Sequence, residues 1–379
     1  MVQAKGLEGV IATTSSVSSI IDDVLTYRGY NVDDLTDYAQ FEEVIYLLWF
    51  NKLPTSQQLA DFKSELIENA YLPNEVLDII KNLSKENAHP MSILMNGVSA
   101  LAIYDEEANQ MTESANYRKA LRLQGKLVSI VAAYSRISEE KEPLRPKEDL
   151  SFAANFLYMM SGRIPDEISE KAFNKALILH ADHELNASTF TARVCVATLS
   201  DMYSGVTAAL GALKGPLHGG ANERVMKMLV DIGDITQVEH CLHRAFENKE
   251  KIMGFGHRVY KTGDPRAKHL REMSKQLAKV TGEEKWYYMS LAIEKIVTKE
   301  KGLLPNVDFY SASVYHSLGI QPDLFTPIFA ISRVSGWIAH ILEQYENNRL
   351  IRPRAEYVGL KNQTYIPVHE RDESKDVIA

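Results

Sequence analysis

The 379-residue sequence has few cysteines, no excess of basic residues and no long apolar run. Its two cysteines, Cys195 and Cys241, are too few for a disulfide framework and lack the close spacing of a zinc site. A formal net charge of −8 argues against binding to nucleic acid, whose phosphates require a basic face. The sequence contains neither the stretch of about eighteen apolar residues that a membrane span requires nor an apolar N-terminal segment typical of secretion. We therefore expect a soluble protein of the cytoplasm.

Apolar residues recur at helical spacing through most of the chain after roughly the first thirty residues. Strands that alternate with helices are not visible, which excludes the doubly wound nucleotide-binding folds. The run PIFAISRVSGWIAHILEQYENN predicts one long helix with a buried stripe, and Arg333 lies inside it. Thr55 or Ser56, and further on Asn74, are predicted helix caps. The pattern predicts an all-α fold, and the chain length predicts more than one domain.

The segment LHADHELN contains two histidines, His180 and His183, within the most apolar long stretch of the chain. Because they are three residues apart, they would share one face of a helix. Three interpretations are open: a hydrogen-bonded histidine pair in the core, a substrate contact, or two ligands of a metal ion. A zinc hydrolase built on this segment would need further ligands, and none stands at a suitable spacing.

The segment GPLHGGANE places His218 between Pro216 and two glycines, just before a predicted helix. Glycine lets the backbone approach a ligand closely. The positive end of the helix would lower the pKa of His218 and keep the imidazole neutral. A neutral imidazole can donate a hydrogen bond to a developing oxyanion. The competing interpretation is a glycine-rich turn that contains an incidental histidine.

The segment GFGHRVYKTGDPR is not a dinucleotide fingerprint, because it lacks the third glycine and no strand precedes it. It combines His257 with Lys261 and Arg266, a set suited to a small carboxylate or phosphate substrate. A last candidate, Asp308, lies in PNVDFYSASVY at the predicted start of a helix. An aspartate there is either a helix cap or a base, and the residues alone favour the cap.

Taken together and in this order, these segments resemble the citrate synthase family in its dimeric bacterial form. The similarity covers essentially the whole chain and is carried by GFGHRVYKTGDPR, GPLHGGANE, NVDFYSASVYHSLG and NRLIRPRAEY. It implies a multi-helical fold with a large and a small domain. The expected boundaries are 1–216 for the first part of the large domain, 217–321 for the small domain, and 322–379 for the rest of the large domain.

The resemblance also implies a reaction and a role for each of three residues. Asp308 is expected to remove a methyl proton from acetyl-CoA while His218 hydrogen-bonds the thioester carbonyl. His257 is expected to protonate the carbonyl of oxaloacetate as citryl-CoA forms, before hydrolysis to citrate and CoA. Neither a metal nor a cofactor is expected, since the CoA thioester is a substrate.

The binding residues implied by the family form two groups. The expected oxaloacetate ligands are His183, His218, His257, Arg266, Arg333 and Arg352. The expected CoA contacts are Ile252, Met253, Gly254, Phe255, Gly256 and Lys261. A homodimer is implied, with Arg352 reaching into the active site of the other subunit.

Two rival functions remain besides the zinc hydrolase. A 2-methylcitrate synthase would share the fold and the catalytic groups but use propionyl-CoA, which differs from acetyl-CoA by one methylene. Since an apolar pocket discriminates a methylene by only about 1–3 kcal/mol, the motifs do not distinguish the two substrates. The other rival is a helical binding protein that keeps the fold without catalysis, although His218, His257 and Asp308 are all present.

Overall fold

In a computed structural model of the protein, residues 5–7, 9–86, 88–257 and 259–371 are described. Within them the chain forms sixteen α-helices and three short β-strands. The strands are β1 Ser18–Ile21, β2 Val24–Tyr27 and β3 Tyr30–Asn31. The helices are α1 Val32–Tyr38, α2 Phe41–Phe50, α3 Ser56–Glu68, α4 Asn74–Ser84, α5 Pro90–Leu101, α6 Glu113–Ser138, α7 Phe152–Ser161, α8 Glu167–His180, α9 Ala187–Val196, α10 Met202–Leu213, α11 Ala221–Ile232, α12 Val238–Glu247, α13 Pro265–Thr281, α14 Glu284–Lys301, α15 Val307–Ser317 and α16 Phe325–Glu346. The predicted all-α class is confirmed.

The exception to the helical pattern is a small antiparallel sheet with the order β1-β2-β3. In its first pair, Ser18 lies opposite Tyr27 and Ile21 opposite Val24. Leu25 and Tyr27 alternate with more exposed neighbours along β2 and are fully buried. One face of the sheet therefore packs against the helices, and the turn between β1 and β2 is exposed to solvent.

Helix α16 is the central helix of the protein. Its sides pack against α2, α6, α8, α9 and α10, and Trp337 and Ile338 are fully buried. The sequence predicted a single buried stripe, but the structure buries this helix on nearly all sides. By length and composition the segment Pro322–Glu346 could cross a membrane, yet its most apolar stretch is wholly buried inside the protein. Such burial is typical of a core helix.

The predicted helix caps are partly correct. Thr55 caps α3, where its hydroxyl accepts a hydrogen bond from the Gln58 backbone at 3.3 Å. Asn74 is not a cap, because it is the first residue of α4 and Pro73 precedes it without a side-chain hydrogen bond. Proline fixes the backbone angle at that position, so the helix starts there without a polar cap.

The helices between 217 and 321 are α11 to α15, and their packing sets up the site. Helix α15 packs against α11, α13 and α14, while α13 and α15 both also contact α8. The loop after α8 contacts the segment before α13 through His183 and Tyr260, and Asp264 links the starts of α13 and α15. The division into a large and a small domain at these boundaries stays a prediction.

Candidate functional site

Backbone hydrogen bonds fix the orientation of His257. Its Nδ1 accepts from the backbone N–H of Val259 at 3.0 Å and of Tyr260 at 3.3 Å. A nitrogen that accepts must carry a lone pair, so the proton of the neutral ring lies on Nε2. Burial lowers the pKa of His257, and the charge of Arg266 lowers it further. The loop thus presents a neutral imidazole that donates from Nε2.

His218 is held through Nε2, whereas His257 is held through Nδ1. Its Nε2 lies 3.3 Å from the backbone nitrogen and 2.8 Å from the hydroxyl oxygen of Ser188, at the start of α9. Because a backbone N–H only donates, Nε2 carries the lone pair and the proton lies on Nδ1. The Trp337 indole donates to the same hydroxyl at 3.1 Å and fixes it in place.

The pKa of His218 is lowered to about 4, mainly by burial and further by the charge of Arg333. The sequence predicted a lowered pKa, which is confirmed, but it assigned the cause to the helix that follows. Burial is the larger cause, and α11 begins only at Ala221, beyond a glycine cap. His218 is therefore neutral at pH 7 and able to donate a hydrogen bond from Nδ1.

Asp308 is not a helix cap, which corrects the interpretation favoured by the residues alone. Asn306 caps α15, since its side-chain oxygen accepts the backbone N–H of Asp308 at 3.0 Å. Asp308 is the second residue of the helix, and among the described residues its carboxylate accepts no hydrogen bond. Burial raises its pKa to about 6, against the opposing charge of Arg266. An unengaged carboxylate with this pKa is suited to proton transfer near neutral pH.

Arg266 lies in the first turn of α13 and is only 3% exposed. Its Nε and Nη2 donate to the two carboxylate oxygens of Asp264 at 2.9 and 2.8 Å. Asp264 also accepts the backbone N–H of Val307 at 2.9 Å. Burial works against the charge, but the Asp264 carboxylate outweighs it and raises the pKa of Arg266. This ion pair therefore joins the N-terminal ends of α13 and α15.

Arg333, in the middle of α16, is buried in a different way. Its Nε donates to the carbonyl of His180 at 2.7 Å, and its guanidinium carbon lies 4.6 Å from the centre of the Phe329 ring. Among the described residues no carboxylate lies within ion-pair distance of it. Burial lowers its pKa to about 10, so the group is still charged at pH 7. It is a desolvated cation with capacity for an anionic ligand.

The two histidines of LHADHELN do not share a helix face, which corrects the sequence prediction. His180 is the last residue of α8 and is fully buried, with Nδ1 2.7 Å from the carbonyl of Ala176. His183 follows in the loop, where its Nε2 lies 3.1 Å from the Tyr260 hydroxyl and its ring 5.2 Å from that of His257. The helix ends between them, so one is a core residue and the other belongs to the site. Across the described ranges, no group of three or more histidine, cysteine or acidic side chains could hold a metal ion.

Contacts and charges both link these residues, and the ring of His183 lies 5.2 Å from that of His257. The charge of Arg333 acts on His218, His183 and Asp308, and that of Arg266 acts on His183, His257 and Asp308. Charges act effectively between buried groups, because little water screens them. The arrangement contains neutral hydrogen-bond donors, a carboxyl group of raised pKa and two cations. It can bind a small dianion and transfer a proton to or from a carbon next to a carbonyl.

The segment 252–256 is fixed to the start of α15. Gly254 accepts the Asn306 backbone N–H at 2.9 Å, and Gly256 accepts the Asn306 side-chain N–H at 2.9 Å. Both glycines have positive φ, and a side chain at Gly254 would meet Phe309 at 2.9 Å. Phe255 is buried against Phe309, with ring centres 4.5 Å apart. Glycine is therefore required at Gly254 by backbone conformation and by close packing.

The remaining predicted CoA contacts differ in exposure. Ile252 and Met253 are partly buried against the core, whereas Lys261 is exposed. The backbone N–H of Lys261 donates to Asp23 at 3.2 Å. An exposed ammonium next to the His257 loop is compatible with a phosphate contact, and the roles of these residues stay predictions.

Arg352 is not grouped with the other arginines. It is exposed, in the irregular segment that follows α16. It lines a groove of about 760 Å³ together with Arg193, Glu343 and the N-terminal residues Leu7 and Val10. The single chain thus brings together five of the six predicted oxaloacetate ligands.

Sequence reasoning missed four residues that orient the site: Tyr260, Asp264, Ser188 and Trp337. Asp264 could have been found, because an aspartate followed by proline is a common helix start. No local signal identifies Ser188, which meets His218 from 30 residues away.

Comparisons with known proteins identify relatives that cover nearly the whole chain. Residues 6–354 match the family described as "Citrate synthase, C-terminal domain". The chain is 64% identical to Citrate synthase 2 of Bacillus subtilis, covering 98% of this chain and 100% of the relative. It is 42% identical to a 2-methylcitrate synthase of Shewanella oneidensis, covering 97% of each. A citrate synthase of Thermoplasma acidophilum was solved as a ternary complex with carboxymethyl coenzyme A and oxaloacetate. It superposes with a TM-score of 0.91 at 38% identity, covering 97% of this chain and 99% of that one.

Proposed function

The chain belongs to the citrate synthase family, and on that premise we propose that His218, His257 and Asp308 carry out its condensation of acetyl-CoA with oxaloacetate. The methyl carbon of acetyl-CoA joins the keto carbon of oxaloacetate to give citryl-CoA, and water then releases citrate and CoA. One observation carries this assignment. Near the buried Arg266 and Arg333 lie two neutral imidazoles, protonated on Nδ1 in His218 and on Nε2 in His257, and a carboxyl group of raised pKa.

In the first step Asp308 removes a proton from the methyl group while His218 donates a hydrogen bond from Nδ1 to the thioester oxygen. A carbon acid is far weaker than a carboxylic acid, so the base requires a partner that stabilises the enol or enolate. The pKa of about 6 makes Asp308 a stronger base than an ordinary aspartate while leaving it mostly ionised at pH 7. The lowered pKa of His218 keeps it neutral, as this role requires.

In the second step the enol or enolate attacks oxaloacetate, and His257 donates its Nε2 proton to the keto oxygen. Backbone donors on Nδ1 support this direction of transfer, since they leave Nε2 as the only protonated nitrogen of the neutral ring. Arg333 supplies an uncompensated charge and Arg266 further hydrogen-bond donors to the two carboxylates, and His183 completes the oxaloacetate site. Such contacts strengthen when the site excludes water.

For CoA we propose contacts from Ile252, Met253, Gly254, Phe255, Gly256 and Lys261, with residues 217–321 closing over the substrates as a small domain. The support is the fixing of the 252–256 segment to Asn306 at the start of the helix that carries Asp308. Closure after oxaloacetate has bound would order both substrates before proton transfer begins.

We further propose a cytoplasmic homodimer in which Arg352 enters the partner's active site. The support is the exposure of Arg352 on a segment that also exposes Leu350, Val358 and Leu360 to solvent in the single chain. Apolar side chains grouped in this way favour contact with another protein surface. Two half-buried free cysteines suit a reducing compartment.

A subunit-mixing experiment tests the Arg352 assignment. Arg352→Ala and His218→Ala each inactivate a homodimer, but a mixed dimer keeps one complete site if Arg352 acts across the interface. Random mixing would then restore about a quarter of the wild-type activity, because half of the dimers are mixed and each has one of two sites. An absence of recovery would place Arg352 in its own subunit's site. An active monomer at high dilution, detected by sedimentation, would exclude the obligate dimer.

The substrate is tested by CoA thiol release with acetyl-CoA and with propionyl-CoA. The relatives favour acetyl-CoA, because identity is 64% to a citrate synthase and 42% to a 2-methylcitrate synthase. We expect kcat/KM for propionyl-CoA to be about 10- to 200-fold lower, the usual range for one methylene. A reversed preference would assign 2-methylcitrate synthase activity, and no thiol release with either substrate would favour a binding protein without catalysis.

A further inference from the structure

The turn between β1 and β2 contacts the loop that carries His257, although the two are far apart in sequence. The Asp23 carboxylate accepts the backbone N–H of Lys261 at 3.2 Å and that of Thr262 at 2.9 Å. It also accepts the Thr262 hydroxyl. The hydroxyl bond, followed by the two backbone bonds, lowers the pKa of Asp23, so the carboxylate is charged at neutral pH.

The other end of the same hairpin is fixed to the loop that carries His183. The Ser18 hydroxyl donates to Asp182 and accepts the backbone N–H of Glu184 at 2.9 Å. The Ile20 backbone N–H donates to the Glu184 carboxylate at 2.6 Å. The Tyr27 hydroxyl lies within hydrogen-bond distance of one carbonyl oxygen in the last turn of α8 and of another in the loop that follows. Among the described residues, the hairpin is therefore hydrogen-bonded to the His183 loop along its strands and to the His257 loop through Asp23 at its tip.

We propose that Asp23 is a positioning residue that holds the 259–264 loop, and with it His257, against the His183 loop. This inference rests on the proposed function, because it assigns His257 a role in catalysis. The hairpin then links the two segments that supply histidines to the oxaloacetate site.

The loop held by Asp23 determines both the tautomer and the position of His257. The donors to Nδ1 are the backbone N–H groups of Val259 and Tyr260, immediately before Lys261. Tyr260 also hydrogen-bonds His183 through its hydroxyl. If the loop moves away from Asp23, these contacts weaken together, and the His257 proton is no longer aimed at the substrate. The expected loss affects oxaloacetate binding and carbonyl protonation.

The turn itself does not require the Asp23 carboxylate. Asp22 and Asp23 have φ angles of 50° and 61°, the left-handed conformation that two-residue hairpin turns use. Glycine adopts this conformation without strain, so Asp23→Gly removes the acceptors and keeps the turn. Asp22→Gly is a matched control, because among the described residues the Asp22 side chain makes no hydrogen bond.

The experiment measures amide hydrogen exchange and steady-state kinetics on the same full-length variants. In Asp23→Gly we expect the Lys261 and Thr262 amides to lose about tenfold or more in protection and kcat/KM for oxaloacetate to fall about tenfold, while KM for acetyl-CoA at saturating oxaloacetate changes less. Asp22→Gly should stay within about twofold of wild type in both readouts. Asp23→Asn keeps the turn and one acceptor, so we expect an intermediate effect.

Unchanged protection in Asp23→Gly would overturn the proposed contact. Lost protection with unchanged kinetics would overturn the positioning role. An equal effect of Asp22→Gly would assign the loss to the turn and not to the carboxylate, which also overturns the proposal. If wild-type protein released no CoA with either thioester, the proposed function would fail, and the exchange comparison would still decide whether Asp23 holds the loop.

Discussion

Arg266 and Arg333 are both at most 3% exposed, but the structure stabilises the two charges differently. At the start of α13, Arg266 forms two hydrogen bonds with Asp264, whose carboxylate also holds the start of α15. In the middle of α16, Arg333 has a backbone carbonyl and an aromatic face, and no carboxylate partner among the described residues. One cation is largely neutralised in the free protein, and the other is not.

The difference means that the two buried arginines contribute differently to the stability of the fold and to the binding of an anion. A buried ion pair connects elements of the fold, and breaking it leaves a buried charge without a partner. A buried cation without a partner costs stability in the free protein and is compensated when an anion binds. Substitution of Arg266 should therefore affect stability most, and substitution of Arg333 should affect oxaloacetate binding most.

The largest effect is expected for Arg266→Leu. It leaves the Asp264 carboxylate buried and unpaired, so the free energy of unfolding should fall by about 3–5 kcal/mol. Chemical denaturation monitored by circular dichroism measures this. The double variant Arg266→Leu with Asp264→Asn should recover part of the loss, because asparagine removes the unpaired charge and keeps an acceptor for the backbone N–H of Val307. A single variant as stable as wild type would show that the ion pair does not hold α13 and α15 together.

The opposite behaviour is expected for Arg333→Met. Methionine fills similar space without a charge, so the free energy of unfolding should change by less than about 2 kcal/mol in either direction. KM for oxaloacetate should rise about a hundredfold, because a desolvated charge-assisted contact is lost. Denaturation and steady-state kinetics on one preparation test both parts. A destabilisation as large as that of Arg266→Leu would remove the distinction between the two cations.

Asp308→Asn tests whether the charges of Arg266 and Arg333 fully offset the cost of burying the Asp308 carboxylate. The folded-state pKa of about 6 is above the ordinary 3.8, so the folded protein binds this proton more tightly than the unfolded chain does. The contribution of Asp308 to the free energy of unfolding is therefore lost as pH rises from about 4 to 6. At pH 8 the variant should be more stable than wild type by about 2–3 kcal/mol, and below about pH 4 the gain should vanish. A gain that is independent of pH would contradict the raised pKa.

The smallest effect is expected for Asn306→Ala. Asn306 is a neutral cap at the start of α15, and it also binds the Gly256 carbonyl through its side chain. Loss of a cap costs about 1 kcal/mol, less than loss of the Asp264 ion pair at the start of α13. Thermal unfolding of both variants gives the ranking. A larger loss for Asn306→Ala than for Arg266→Leu would reverse it.

Much of the fold follows from local patterns. Helical spacing of apolar residues predicts α16 with one buried stripe, though not its burial on nearly all sides, and Thr55 is a correctly predicted cap. The small sheet is harder to predict, because its strands are at most four residues long and rich in serine. Asn74 was assigned wrongly as a cap because the proline before it already fixes the start of the helix.

The sequence predicts site residues where a reactive side chain stands in a segment of recognisable backbone conformation. His218, His257 and Arg266 lie in glycine-rich or helix-starting segments that indicate ligand binding before any coordinates are known. Two aspects depend on tertiary contacts: which nitrogen of His218 accepts from Ser188, and whether Arg333 has a carboxylate partner. Periodicity does not report such contacts, because they join segments distant along the chain.

The most direct test of the proposed mechanism is the turnover of His218→Ala. The thioester oxygen would lose its hydrogen-bond donor while Asp308 and both arginines remain. We expect kcat to fall about 100- to 1,000-fold, with the unfolding transition still cooperative. A kcat within about threefold of wild type, in a variant that folds normally, would contradict the assignment of His218 and the cooperation of the two histidines with Asp308.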